Sequence, residues 1–200
     1  MKTKLNFKHL VLFCLIIFAG CNKDSNDDEM TFDPNLYTYV PDDNFEQLLI
    51  NQGYDTNMDD YVLTSNIINV TSLLYTNGGN GIIESSGITN FTGIEDFISL
   101  ESFDCSFLNL SHLDLSNNVA LNTIDCSGNK LTTLDLSNLI NLENLNAGGN
   151  QLTTLDISNN IALLYLWCGE NPLTCVQVNE EQLEYDFTNC SQSLFSLNCN

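Results

Sequence analysis

From Leu100 onward, apolar residues return at a fixed interval of 21. Leu100, Leu121, Leu142 and Leu163 each open a segment of the form LxxLxCxxNxL: LESFDCSFLNL, LNTIDCSGNKL, LENLNAGGNQL and LLYLWCGENPL. In the unit that starts at Leu121 the apolar positions are Leu121, Ile124, Cys126, Leu131, Leu134 and Leu136. Apolar and polar residues alternate around Ile124–Cys126 and again around Leu134–Leu136, which predicts two short strands per unit. SHLDLSNNVA, TTLDLSNLIN and TTLDISNNIA repeat the rule at half the interval, so each unit divides into nested halves. Six apolar side chains cannot offset the chain entropy of one such unit, so units must stack and share a core.

A stack leaves apolar edges at both ends, and these need caps. Residues 40–53, VPDDNFEQLLINQG, predict a short helix. Asp42 or Asp43 is its N-cap, Glu46 closes a capping box with Asp43, and Gly53 ends it. Phe45, Leu48 and Leu49 make one apolar face at helical spacing, placed on the first coil. Residues 70–100 form a stretched first coil with a Gly/Asn-rich bulge at 76–81, and residues 179–200 stop repeating. Asn129, Asn150 and Asn171 recur at one corner, where a buried Asn satisfies backbone groups of the next coil. The first unit has Leu108 there with Asn109 beside it, which predicts an irregular corner.

Over residues 70–178 these segments resemble the leucine-rich repeat, and the nested halves resemble its short bacterial class. Residues 40–53 and ITNFTGIEDF at 88–97 are similar to the N-terminal cap and first repeat of surface proteins built this way. The resemblance implies a β-rich solenoid: a leucine-rich repeat stack with a short N-terminal helical cap and an irregular C-terminal cap.

The segment before the repeats changes where such a stack would stand. Lys2, Lys4 and Lys8 precede an apolar run, Leu10 to Phe18, and then Ala19-Gly20-Cys21. The run is too short to span a bilayer and reads as a signal peptide, residues 1–20. FAGC at 18–21 resembles the lipobox of bacterial lipoproteins, which implies lipidation of Cys21. Residues 21–36 are polar and acidic, a disordered tether. An acidic stretch at that place is similar to the signal that sends some lipoproteins to the outer face, which implies an outer membrane lipoprotein facing the cell exterior. Residues 37–69 are then the N-terminal cap, 70–178 the repeats and 179–200 the C-terminal cap.

Charge narrows the partners. The chain carries 26 acidic residues against 5 lysines, a net −21. Cleavage before Cys21 leaves Lys23 and Lys130, and a net −24. Such a chain repels nucleic acid, and it meets the membrane through its lipid alone. Catalysis finds little support. His112 is the one histidine beyond the signal peptide, arginine is absent, and no HExxH, GxSxG or phosphate-loop pattern occurs.

Three sets of residues remain as candidates. Asp104, Asp125, Asn146 and Trp167 form one strand-exposed column, with Tyr165 beside the only Trp, and predict a ligand-binding face. Trp167 instead covering the edge by the C-terminal cap is the alternative. Asp114, Asp135 and Asp156 form a second column: a calcium ladder, a solvated face, or aspartates accepting turn hydrogen bonds. DTNMDD at 55–60 matches the start of a calcium loop at Asp55, Asn57 and Asp59, then departs from it at Asp60 and Asn66.

Cys105, Cys126 and Cys168 occupy a core column with Ala147. One cysteine per coil makes a line, not a metal tetrahedron. Among Cys175, Cys190 and Cys199, two close a loop that staples the cap, with Cys175–Cys199 favoured although sequence does not fix connectivity. The expected function is a cell-surface binding module for a protein, peptide or glycan, without a cofactor unless calcium binds. A structural component of the cell envelope and a calcium-dependent adhesin are the alternatives.

Overall fold

Each coil begins with a three-residue strand, and a computed structural model shows how these strands stack. It describes residues 33–74, 87–185, 187 and 190–199. The signal peptide, Cys21 and the 76–81 bulge lie outside the described residues. The elements below belong to one compact unit, Asn35–Asn200.

The N-terminal cap holds β1 (Tyr37–Tyr39), α1 (Asp43–Asn51), β2 (Tyr61–Leu63) and the single turn α2 (Thr64–Ile67). β1 and β2 pair antiparallel, a small sheet that the helical reading of the cap did not foresee. Asp42 is the N-cap: its Oδ1 accepts from the N–H groups of Asn44 and Phe45, both at 3.1 Å. Its Oδ2 accepts from the N–H groups of Thr89 and Asn90, so one carboxylate ties the helix to the first coil. Phe45, Leu48 and Leu49 are buried as expected. Phe45 meets Phe91 edge-on at 4.9 Å, and Phe91 meets Phe103 at 5.1 Å, so rings continue the core into the repeats.

Glu46 departs from the capping box. Its side chain turns inward, and Oε1 accepts from the N–H groups of Asp59 at 2.8 Å and Asp60 at 2.7 Å. A buried clamp on the 55–60 loop satisfies two donors that the helix end does not offer. Burial raises the Glu46 carboxyl above its ordinary 4.5, the two N–H groups oppose this, and Asp59 and Asp60 add repulsion. A carboxyl raised by folding stabilises below its unfolded value and loses that contribution as pH rises through its folded value. Glu46→Gln keeps an acceptor and loses the charge. Its urea midpoint relative to wild type should therefore climb as pH rises above the ordinary carboxyl value of 4.5. A constant difference would show that the ionised carboxylate carries no penalty.

The rest of the chain carries β3 (Ser72–Leu74), β4 (Ser102–Asp104), β5 (Thr123–Asp125), β6 (Asn144–Asn146), β7 (Thr154–Asp156), β8 (Tyr165–Trp167), β9 (Cys175–Gln177) and β10 (Phe195–Ser196). β3, β4, β5, β6 and β8 form a five-stranded parallel sheet with Phe103, Ile124, Leu145 and Leu166 in register. β10, β9 and β7 form a second parallel sheet. The nested half-repeats therefore make strands only in the later coils. Leu113–Leu115 and Leu134–Leu136 are not strands, although Leu113, Leu115 and Leu136 are buried. Alternation records which side chains face the core, and an extended backbone supplies that without a paired neighbour.

Between strands, the corners are held by asparagines. Asn129 donates through Nδ2 to the carbonyls of Cys105 and Cys126, each at 2.9 Å, and accepts at Oδ1 from Leu108 N and Leu110 N. Asn150 and Asn171 repeat the pattern one and two coils on. The cross-coil bonds run back to the preceding coil, not forward to the next, because the side chain of each coil lies under the turn already laid down. Leu108 takes the same place in the first coil and is buried, flanked by Phe107 and Asn109 at φ 58° and 60°. Phe107 follows the left-handed column of Gly128, Gly149 and Glu170, so the irregularity the sequence suggested is at Asn109, whose equivalent Lys130 is not left-handed.

A second polar ladder went unforeseen. Asn118 donates to the carbonyls of Ile94 and Phe97, Asn160 to those of Leu136 and Leu139, and Gln182 to those of Ile157 and Asn160. Leu139, also buried, stands at the step between Asn118 and Asn160.

Candidate functional site

The register of the five-stranded sheet decides what lies side by side. Asp104, Asp125, Asn146 and Trp167 are successive partners across β4, β5, β6 and β8, and Ser102, Thr123, Asn144 and Tyr165 form the neighbouring column. A shallow hollow of about 340 Å³ lies on this face. Thr123, Asp125, Asn144, Asn146, Tyr165 and Trp167 line it, over a floor of Ile124, Leu145 and Leu166. Asp104 adjoins Asp125 one strand away. The five residues proposed as a ligand face thus share one surface.

Their polar atoms are already partly engaged. Asp125 accepts at Oδ1 from Ser127 N and Oγ, at 2.9 and 2.6 Å, and at Oδ2 from Asn146 Nδ2 at 3.0 Å. Asn146 Oδ1 accepts from Gly148 N at 3.2 Å, and Asp104 Oδ1 from Ser106 N at 3.0 Å. Burial pushes the Asp104 carboxyl up and Asp125 adds repulsion, against the pull of the Ser106 N–H and hydroxyl.

The aromatic end stays open. Tyr165 is 66 % and Trp167 49 % exposed. A Cβ added at Gly148 would stand 2.7 Å from Trp167 Cδ1, so the missing side chain is what lets the indole lie against the coil before it. Trp167 is seated on Gly148 with much of its surface in solvent.

The remaining candidates have local explanations. Asp114, Asp135 and Asp156 accept at Oδ1 from the N–H groups of Ser116, Ser137 and Ser158 at 2.9–3.0 Å, turn bonds within each coil. Those backbone bonds hold the Asp114 and Asp135 carboxyls below their ordinary value. At 55–60, Asp55 Oδ1 accepts from Thr56 N and Asp59 Oδ1 from Tyr61 N, while Asn57 is exposed. Asp55 Oδ2 is buried without a hydrogen-bond partner. Among the described residues no three His, Cys, Asp or Glu side chains are grouped as metal ligands. His112 is exposed, beside a second, polar hollow that Glu95 and Asp114 also line.

Cys105 and Cys126 are free and buried, and burial pushes the Cys126 thiol up to about 12 and the Cys105 thiol well above its ordinary value. Cys168 leaves the free core column: it is bonded to Cys190, and Cys175 is bonded to Cys199. The C-terminal segment carries Cys190 to the last rung, a proximity that spacing in sequence does not encode.

One exposed series escaped the sequence reading. Ile98, Val119, Ile140 and Ile161, half or more exposed, follow the interval of 21 two positions before the buried leucines. The period was legible; that these positions face outward needed the coil geometry.

No protein-family model matches the sequence, and no curated protein does. Solved structures do resemble the fold. The functional domain of InlJ from Listeria monocytogenes, which includes a cysteine ladder, aligns at 35% identity with TM-score 0.60 over 71% of this chain and 30% of that one. An internalin, InlF, of the same organism aligns at 19% identity and TM-score 0.51, over 70% of this chain and 50% of that one. This chain thus spans half or less of the length of these two proteins. Both are leucine-rich-repeat internalins, and the fold here is a leucine-rich-repeat solenoid of about 4 turns.

Proposed function

We propose that this solenoid is a binding module at the cell surface, held by a lipid on Cys21 and a short acidic tether, with the Asp104–Trp167 face as its site. The observation that carries the reading is the hollow beside Tyr165 and Trp167, two exposed aromatic side chains on a rigid sheet. The frame holds them at fixed spacing before any ligand arrives, so binding costs little ordering. Three-residue strands give a face smaller than the roughly 800 Å² per partner of a standard protein interface. That size suits a peptide, a short glycan or a weak protein contact, strengthened by many copies on one membrane.

No helix among the described residues is long and apolar enough to cross a membrane. The proposed anchor is the lipid on Cys21, and Cys21→Ala should move the protein from the membrane to the soluble fraction. We assign no enzymatic activity: His112 is exposed, and burial keeps the two free thiols protonated.

The test is capture from envelope and environmental extracts, with a Tyr165→Ala/Trp167→Ala protein that still melts cooperatively as control. A partner held by wild type and lost by the variant supports the reading. Equal capture by both favours a structural component of the envelope that docks elsewhere. Capture abolished by chelator and restored by calcium favours the adhesin alternative at Asp55, Asn57 and Asp59.

A further inference from the structure

The hollow offers acceptors and ring faces, and its amides and hydroxyl are partly engaged with one another. Asn146 spends Nδ2 on Asp125, Asn144 Nδ2 reaches Thr123 Oγ1 at 3.4 Å, and Thr123 Oγ1 donates to Asn122. Beside the second N–H of each amide, what the hollow presents is carboxylate oxygen and aromatic surface. The chain supplies no counter-charge there, since Lys130 is the only Lys or Arg among the described residues and does not line the hollow. Carboxylates on adjacent strands, with backbones about 5 Å apart, repel one another unless a cation bridges them. Electron-rich ring faces attract the same kind of group.

Resting on the binding-face reading above, we infer that the occupant is a basic side chain, arginine before lysine, on an exposed segment of a partner protein. Asp104 and Asp125 hold its charge, and Trp167 and Tyr165 receive its plane and aliphatic stem. Asp125 and Trp167 stand two strands apart, about 10 Å between backbones, with Asn146 on the strand between them, and an arginine laid over Asn146 reaches both. Guanidinium is favoured over ammonium because it stacks on a ring and hydrogen-bonds carboxylate in the same plane. A neutral glycan would leave both carboxylates without a counter-charge.

The chain itself supplies a turn-preserving control. Asn146 occupies the same column as Asp125 and accepts the same turn bond, from Gly148 N, so Asp→Asn in this column keeps that bond and removes the charge, and a cooperative melt of the variant checks its fold. The experiment titrates the full-length protein with a glycine-spaced peptide carrying two arginines, following the fluorescence of Trp167, its single tryptophan. Calorimetry runs in parallel. The citrulline counterpart, an uncharged isostere, and cellotetraose are the comparison probes. The arginine peptide should give a saturable change that weakens about tenfold or more with citrulline, with Asp104→Asn/Asp125→Asn, or in strong salt.

Equal binding of arginine and citrulline peptides, or none of the arginine peptide at millimolar concentration, overturns the inference. So does cellotetraose binding that survives Asp104→Asn/Asp125→Asn. If Trp167→Ala abolishes that glycan binding by calorimetry, the binding face stands with a different ligand. Extract capture that Tyr165→Ala/Trp167→Ala leaves intact removes the binding face itself.

Discussion

Asn150→Ala lowers the unfolding free energy by roughly 3–5 kcal/mol, because it strips hydrogen bonds from two coils at once. Asn150 donates to the carbonyls of Cys126 and Ala147 at 3.0 and 3.1 Å and accepts from Leu131 N at 3.0 Å. Alanine leaves the buried Leu131 N–H without that acceptor, at about 1–3 kcal/mol, and removes one of the donors on each carbonyl, which keep Asn129 and Asn171 respectively. It also opens a void between coils that pack directly on each other. Asn159→Ala, at an exposed position, should cost less than about 1 kcal/mol. The two urea midpoints decide the matter. A small effect at Asn150 would mean that water enters the corner and replaces the amide. Leu139 shows where the rule relaxes, since the second ladder accepts an apolar residue at its middle step.

The second large effect is at the other end. Cys168–Cys190 and Cys175–Cys199 close loops of sequence separation 22 and 24, with Cα–Cα distances of 5.2 and 5.7 Å. Each loop restricts the unfolded chain by about 3 kcal/mol. Replacing Cys175 and Cys199 together by alanine should lower stability by about that amount. Breaking both bonds with reductant should do more, because the C-terminal segment covers Val176 and Val178, which are buried. Damage should begin locally, since coils contact only their neighbours. Under reductant, protease should cut within 179–199 while fragments spanning 100–165 persist. Peptide mapping before and after reduction reads both the connectivity and the order of loss. Uniform digestion along the chain would mean that the cap and repeats unfold as one.

Much of the candidate face was legible as a column. Asp104, Asp125, Asn146 and Trp167 share a place in successive units, and an interval of 21 with one strand per unit forces them side by side. What the column contains chemically was not legible. Whether Trp167 faced solvent or the cap depended on Gly148, whose missing side chain seats the indole. Whether Asn146 was a free donor depended on Asp125 one strand away. The capping box failed for a similar reason: Glu46 had a partner in Asp43 by spacing, but buried N–H groups at 59 and 60 claimed it.

By itself the sequence determined the repeat, its period, the inward-facing residues of each coil, and the helix that covers the first one. These follow from local periodicity, which fixes the side of the backbone on which each side chain lies. Tertiary structure alone decided which half-repeats pair as strands, which way the asparagines reach, how Cys168 leaves the core column for Cys190, and which donors on the acidic face are spent. Each of those depends on atoms about one coil away, roughly 20 residues distant in sequence and about 5 Å distant in space. Stacking brings such atoms together, and spacing within a unit carries no record of it.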